Sequence, residues 1–321
     1  IGQGLFNILY TGDLKYYSLR EDRALRLQPP ANTEFHRVEA LILESTYGGT
    51  ETPSREEAEA QLVQLINKVA QRKGKVLIPV MAVGRAQDMM VLLNKAMQEK
   101  KIPEMPIYLD GLIYEVTAIY TAYPELLSAP IRDAILNEGA NPFIGPQMVF
   151  VNDQSKRDEA IYSQGPAIIV STSGMMVGGP ILEYFKYLAD NPNNALAFVS
   201  YQASGTLGRR ILEGEREFQL EDDGKLRPVK VNLEVQRIEG FSGHASRSEL
   251  LSFVRRLTPK PKTIILNHGE PSQLAALAST IKDRWDKLGF ESPPEIAVPE
   301  NLESIRVYPR SSKLHSAIFY S

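Results

Sequence analysis

The chain has 321 residues, 43% of them hydrophobic and 23% charged, the balance of a soluble globular protein long enough for about two domains. It contains no cysteine, which excludes disulfides, thiolate zinc sites and cysteine nucleophiles, so any transition-metal site must draw on histidine and carboxylate. The net charge of −3 argues against nucleic-acid binding through bulk charge, and no apolar run approaches the roughly 20 residues of a membrane span, so a soluble cytoplasmic protein without a membrane partner is expected.

The first residues, Ile1–Tyr10, read as a turn already feeding a strand, Leu5–Tyr10, with no initiator methionine and no signal-peptide pattern. The expectation is a chain that begins inside a domain. Val38–Leu43 is a second, mostly apolar strand, and it ends at Glu44. Ser54–Glu57 matches a capping box, and Ala58, Leu62, Leu65, Ile66 and Val69 follow at helical spacing, which predicts a helix over Arg55–Arg72. The pattern then alternates. Strands are expected at Lys75–Val80, Pro106–Leu109, Met148–Val151, Ala167–Ser171 and Ala195–Ser200. Helices are expected at Arg85–Lys100, Leu112–Ala122 and Pro180–Ala189, while Pro124–Pro146 reads as irregular. Short continuous apolar strands separated by helices imply a mostly parallel sheet covered on both faces. Beyond the turn at Glu221–Gly224, Lys225–Ile238 reads as long antiparallel strand material. Ser246–Leu257 follows as a helix, Thr263–Leu266 as a strand and Pro271–Leu288 as a helix. The resulting picture is an α/β protein with a nucleotide-binding-like module inserted between two pieces of another domain. No internal repeat or low-complexity segment interrupts it.

Residues suited to chemistry stand at strand ends. His244, one of four histidines, lies in the glycine-rich turn E-G-F-S-G-H-A-S between a strand and a helix. His268 ends the strand T-I-I-L-N, Glu44 ends L-I-L, and Asp13 follows a strand and Gly12. Each alone has an ordinary explanation as a satisfied histidine, a surface carboxylate or a turn residue. Together, strand ends converging in one sheet would place Asp13, Glu44, His244 and His268 around one pocket. Imidazole and carboxylate suit zinc with an open position for water, although four residues are too few for a two-metal site plus its acid. A second set suggests an anion-binding face. Ser171–Gly179 runs from a strand through a Ser/Gly-rich turn toward a helix, where backbone N–H groups and hydroxyls suit phosphate. Arg85 stands on the first turn of a helix, against the dipole, so an anion or a carboxylate should hold it there. Ser200–Arg210 adds glycine and basic groups after another strand end. No P-loop lysine is present, so nucleoside triphosphate binding is not supported.

These motifs resemble the β-CASP branch of the metallo-β-lactamase superfamily, specifically the archaeal group akin to the cleavage and polyadenylation specificity factor nuclease. E-S-T-Y-G-G, P-V-M-A-V-G-R-A-Q-D, Y-L-D-G, T-S-G-M-M-V-G-G-P, Y-Q-A-S-G-T-L-G-R-R-I, G-F-S-G-H and N-H-G-E occur in family order over nearly the whole chain. The resemblance implies a partial metallo-β-lactamase αββα domain, residues 1–50 and 236–321, with an inserted Rossmann-like β-CASP domain at 51–235. It implies a ribonuclease, endonucleolytic and in some branches 5′-to-3′ exonucleolytic, using two zinc ions in RNA 3′-end formation or transcription termination. By the same resemblance Asp13 is the zinc-bridging carboxylate, His268 the last histidine ligand, His244 the general acid and Glu44 the acid that orients it. Arg85, Ser173, Gly174 and Arg209 match stretches that line the RNA-facing cleft. Single-stranded RNA, a homodimer and subunits of a processing or transcription complex are the partners it implies.

Several departures qualify the match. The family's H-x-H-x-D-H ligands and a further histidine should lie upstream of residue 1. Ser246 and Ser204 stand where the family usually has acidic residues, and Arg310–Ser321 passes the usual family end. The rival expectation is therefore a non-catalytic RNA-binding or scaffold subunit. A small-molecule metallohydrolase would leave the large inserted module and its anion-binding turns unexplained.

Overall fold

The computed structural model describes residues 6–15, 38–222 and 224–308. Ile1–Leu5 and the tail Arg310–Ser321 lie outside them. The described chain falls into two compact units, one formed by Pro53–Ser242 and one by the segments on either side of it in sequence.

The flanking unit begins with β1 (Ile8–Tyr10) and β2 (Ala40–Glu44). The central unit then runs α1 (Arg55–Gln71), β3 (Lys75–Pro79), α2 (Arg85–Gln98), β4 (Ile107–Asp110), α3 (Ile113–Ala122) and α4 (Ala129–Asn137). It continues with β5 (Met148–Phe150), α5 (Gln154–Tyr162), β6 (Ala167–Ser171), α6 (Ile181–Leu188), β7 (Ala195–Phe198) and α7 (Leu207–Leu212). It closes with β8 (Glu217–Asp222), β9 (Lys225–Lys230) and β10 (Glu234–Arg237). The chain returns to the flanking unit through α8 (Arg247–Arg256), β11 (Thr263–Asn267), α9 (Pro271–Asp283) and β12 (Glu295–Ala297).

The central unit is built on a six-stranded sheet in the order β10-β7-β3-β6-β4-β5, parallel at every pairing. Strands β3, β4, β6 and β7 are buried along their whole length, which is why they are continuous apolar runs rather than alternating ones. Alternate residues still divide between two layers. Val76 and Ile78 pack with Leu62, Leu65, Met89 and Leu93 of α1 and α2. Leu77, Ile169 and Leu196 pack with Tyr184 and Phe185 of α6 on the other face. At the start of α1, Ser54 and Glu57 form the expected reciprocal cap.

Several regions differ from the sequence expectation. Lys225–Ile238 is not one antiparallel strand: β9 pairs antiparallel with β8, whereas β10 turns away and pairs parallel with β7. The break falls at Val231–Leu233, whose three backbone N–H groups donate to the carbonyls of Arg216 and Ala189 instead of continuing a ladder. Pro124–Pro146 contains a 3₁₀ turn (Pro124–Leu126) and α4, and α5 was also unforeseen. Helix α4 is short and buries Ile131 with Ile135 packed beside it, while α5 buries only Ala160 and Ile161 and carries no apolar stripe.

The flanking unit holds a four-stranded parallel sheet, β1-β2-β11-β12. Leu41, Leu43, Ile264 and Leu266 form its core with Leu250, Val254, Leu277 and Ile281. In the β2–β11 register Asn267 stands opposite Glu44, so the carboxyl ends of the two central strands finish side by side.

Candidate active site

That shared strand edge positions the chemistry. Glu44 is the last residue of β2 and only 1% exposed. A carboxylate this buried needs donors. Its Oε1 accepts from the Leu14 backbone N–H at 2.9 Å, its Oε2 from the Thr46 N–H at 3.2 Å, and both oxygens lie 3.1 Å from His244 Nδ1. Burial opposes the Glu44 charge most strongly, but the hydrogen bond and charge of His244, with Leu14 and Thr46, hold its carboxyl below the usual glutamate value. His244 shows the complementary shift. Burial pushes the imidazole down, and Glu44, helped by the charge of Asp13, more than reverses this to leave it above the ordinary histidine value. The two shifts run in opposite directions, the acid down and the base up, as an ion pair requires.

His268 follows β11 directly, and its carbonyl accepts from the Ser45 N–H at 3.1 Å. Its φ is +51°, in the left-handed region that non-glycine residues seldom occupy. The next residue is necessarily small, because a Cβ at Gly269 would stand 2.6 Å from the Ser45 carbonyl oxygen. This turn lays the His268 ring beside that of His244, with ring centroids 5.3 Å apart, and sets Nε2 3.4 Å from Asp13 Oδ1. One donor atom each from Asp13, His244 and His268 lies within 4.8 Å of the others. Asp13 and His268 are exposed, and His244 is half-buried above Glu44.

The donor set fits part of a zinc site. Carboxylate oxygen and imidazole nitrogen are the ligands zinc takes when thiolates are missing, and the three side chains converge closely enough to share an ion. Asp13 and His268 are better suited as ligands than His244, whose Nδ1 is engaged by Glu44 and whose proton is held by that carboxylate.

Thr46 belongs to the same cluster and was missed in the sequence. Its Oγ1 lies 3.1 Å from His244 Nδ1 and donates to the His268 carbonyl at 3.2 Å, linking both histidine turns to the end of β2. Its place inside E-S-T-Y was the available signal. Ser246, which departs from the family's usual acidic residue, caps α8: its N–H donates to Glu249 Oε2 at 2.8 Å and its hydroxyl accepts from the Glu249 N–H.

The four other candidates gather elsewhere, on the carboxyl edge of the central sheet, where parallel α/β sheets place ligands. Arg85 follows β3, Ser173 and Gly174 follow β6, and Arg209 lies beyond β7. Their polar groups have near neighbours. Arg85 Nη1 donates to Asp88 Oδ2 at 2.9 Å, so a carboxylate holds this arginine at its helix start. Arg209 Nε donates to Glu213 Oε1 at 2.7 Å. The Ser173 hydroxyl donates to the Gly178 carbonyl and accepts from the Val177 N–H, both at 3.1 Å. A Cβ on Gly174 would approach the Val80–Met81 peptide to 3.0 Å, so glycine lets the turn sit against the end of β3.

Comparison with known proteins places two domains along the chain. Residues 86–211 match the Beta-Casp domain, and residues 228–292 match a Zn-dependent metallo-hydrolase RNA specificity domain. The chain is similar to proteins named transcription termination factor FttA. It is 48% identical to that of Thermococcus kodakarensis over 96% of this chain and 46% of the relative. It is 44% identical to that of Methanocaldococcus jannaschii over 96% and 47%, and 46% identical to that of a Lokiarchaeum species over 92% and 46%. The chain spans about half the length of the curated relatives it matches. No helix among the described residues is long and apolar enough to cross a membrane.

Proposed function

For a chain that belongs to the β-CASP family of metallo-hydrolases, we propose a role as part of a zinc-dependent ribonuclease acting in transcription termination or RNA 3′-end processing. The observation that carries the proposal is the buried Glu44–His244 pair facing Asp13 and His268. Asp13 and His268 would hold zinc, and a complete site of two ions would need further ligands beside them. Zinc bound there supplies Lewis acidity toward a phosphate and lowers the pKa of water.

The chain's own residues contribute positioning and a proton. Glu44 holds the imidazole of His244 through Nδ1 and favours its cationic form. The ring's other nitrogen, Nε2, then donates its proton to the departing ribose oxygen as the phosphodiester breaks. Thr46 and the Leu14 N–H keep Glu44 ionised and immobile, so the acid keeps one orientation. On the central sheet edge, Arg85, Ser173, Gly174 and Arg209 bind the RNA backbone in this reading, placed where parallel α/β sheets present ligand-binding groups. Single-stranded RNA in the cytoplasm is the substrate of this reading, cut internally or from the 5′ end. A homodimer and contacts with transcription or processing subunits complete it.

His244→Ala in the full-length protein tests the reading. Turnover on single-stranded RNA should fall by about 10²- to 10⁴-fold while RNA affinity stays within about twofold. Unchanged cleavage would remove the acid role. No cleavage by the wild-type protein, with RNA binding intact, would favour the non-catalytic subunit instead.

A further inference from the structure

Lys15 is a buried cation two residues after Asp13, 6% exposed, which neither the metal nor the acid role uses. Burying an ammonium is costly without paired partners, so its contacts define its purpose. Its Nζ donates to the His244 carbonyl oxygen at 3.0 Å and to Glu249 Oε2 at 2.9 Å. Glu249 Oε2 in turn accepts the Ser246 N–H at the first turn of α8. The neighbouring residue adds two more ties. The Leu14 N–H donates to Glu44 Oε1, and the Leu14 carbonyl accepts the Ala245 N–H at 2.6 Å. Leu14 itself is buried in the core of the flanking unit. Three consecutive residues, Asp13–Leu14–Lys15, therefore reach the metal side, the orienting carboxylate and the backbone of the acid.

We propose that Lys15 is a positioning residue, a clamp that locks the Asp13 loop to the His244 turn so that zinc-side carboxylate and proton donor are held as one body. The proposal rests on the reading of His244 as the acid. A clamp is useful because the Asp13 side chain is exposed and a Cβ at Gly243 would meet nothing within 4 Å, so neither has close packing of its own, whereas general-acid catalysis requires a fixed distance to the reacting atoms. Glu249 serves as the clamp's anchor. It is fixed on α8 by the capping box, and it neutralises the ammonium while leaving another Nζ proton for the His244 carbonyl.

The test uses Lys15→Met and Lys15→Arg in the full-length, zinc-loaded protein. Lys15→Met keeps the length of the apolar stem and deletes the charge; Lys15→Arg keeps a cation. Turnover of Lys15→Met should fall about 10- to 100-fold with KM within about twofold and zinc content unchanged, and Lys15→Arg should recover most of the loss. A second readout is independent of activity. The His244 ring resonance, assigned with His244→Ala, should shift in Lys15→Met. A folded Lys15→Met with turnover within about twofold of wild type would overturn the clamp. So would an unmoved His244 resonance, or a loss of turnover matched by equal loss of folded protein in a melting curve. If wild-type protein cuts no RNA yet the His244 resonance moves, the clamp stands and the nuclease reading falls.

Discussion

The two sets of candidate residues satisfy their polar groups in opposite ways. In the flanking unit the ties are long-range: His244 meets Glu44 across 200 residues of sequence, and Lys15 meets His244 across 229. On the central sheet edge they are local. Arg85 pairs with the residue three on, Arg209 with the residue four on, and Ser173 with its own turn. Long-range pairing fixes one geometry, which proton transfer requires. Local pairing at Arg209, whose side chain is 34% exposed, suits a flexible polymer whose phosphates can displace a neighbouring carboxylate. The contrast separates the residues proposed to set rate from those proposed to set affinity.

That separation can be broken experimentally. The largest effect is expected from removing the metal-side groups. Asp13→Ala combined with His268→Ala should lower zinc retention by more than the roughly 10- to 100-fold typical of outer-shell changes, with turnover falling in parallel; metal analysis after dialysis checks it. Glu44→Gln comes next. It leaves the Leu14 N–H and His244 facing an amide, and turnover should fall by about 10- to 100-fold at unchanged zinc content. If Glu44→Gln altered RNA affinity rather than rate, the division would be wrong at its centre. Arg85→Ala and Arg209→Ala should each weaken RNA binding only a few-fold and reduce its salt dependence by up to about one charge, measured as affinity against salt. A turnover defect at normal affinity would move either arginine into the rate-setting group. The smallest effect concerns pH and stability alone. Glu234 lies between Lys68 and Arg72; burial works against its charge, but the two cations hold its carboxyl below the usual value. Its contribution is therefore full above the ordinary glutamate pKa and is lost as pH falls through the lowered one. Glu234→Gln should cost a few tenths of a kcal/mol in urea unfolding at pH 7 and nothing once acid has protonated the native carboxylate.

Much of this architecture could be read from residue patterns because burial writes a strong signature. Strands such as Ala167–Ser171 are apolar on both faces, which implies a parallel sheet, and parallel strands bring their carboxyl ends to one edge. Asp13, Glu44, His244 and His268 were identifiable as a group for that reason. What escaped depends on partners distant in sequence. The direction of β10 is set by diverted N–H groups at Val231–Leu233, which leave no mark on the hydrophobic pattern. Helix α5 is polar on most of its surface and is started by the Asp153 side chain accepting from the Lys156 N–H. Thr46 looks like any strand-end threonine until both histidine turns are placed beside it. The carboxylate that holds Arg85 was within reach, since Asp88 is only one helical turn away.

The order of the chain has a consequence for biosynthesis. Asp13 and Glu44 leave the ribosome long before His244 and His268, with the whole central unit made in between. Until that unit has folded and brought its two ends near each other, Glu44 has no imidazole to justify its burial and the strand edge lacks its neighbour β11. Joining the segments requires contacts between residues about 200 apart in sequence, the kind expected to form more slowly than local ones. On the proposed reading, a nascent chain that ends before His244 carries no proton donor. Competence to cut RNA would arrive only with the last third of this chain, after the module proposed to grip the substrate has already formed.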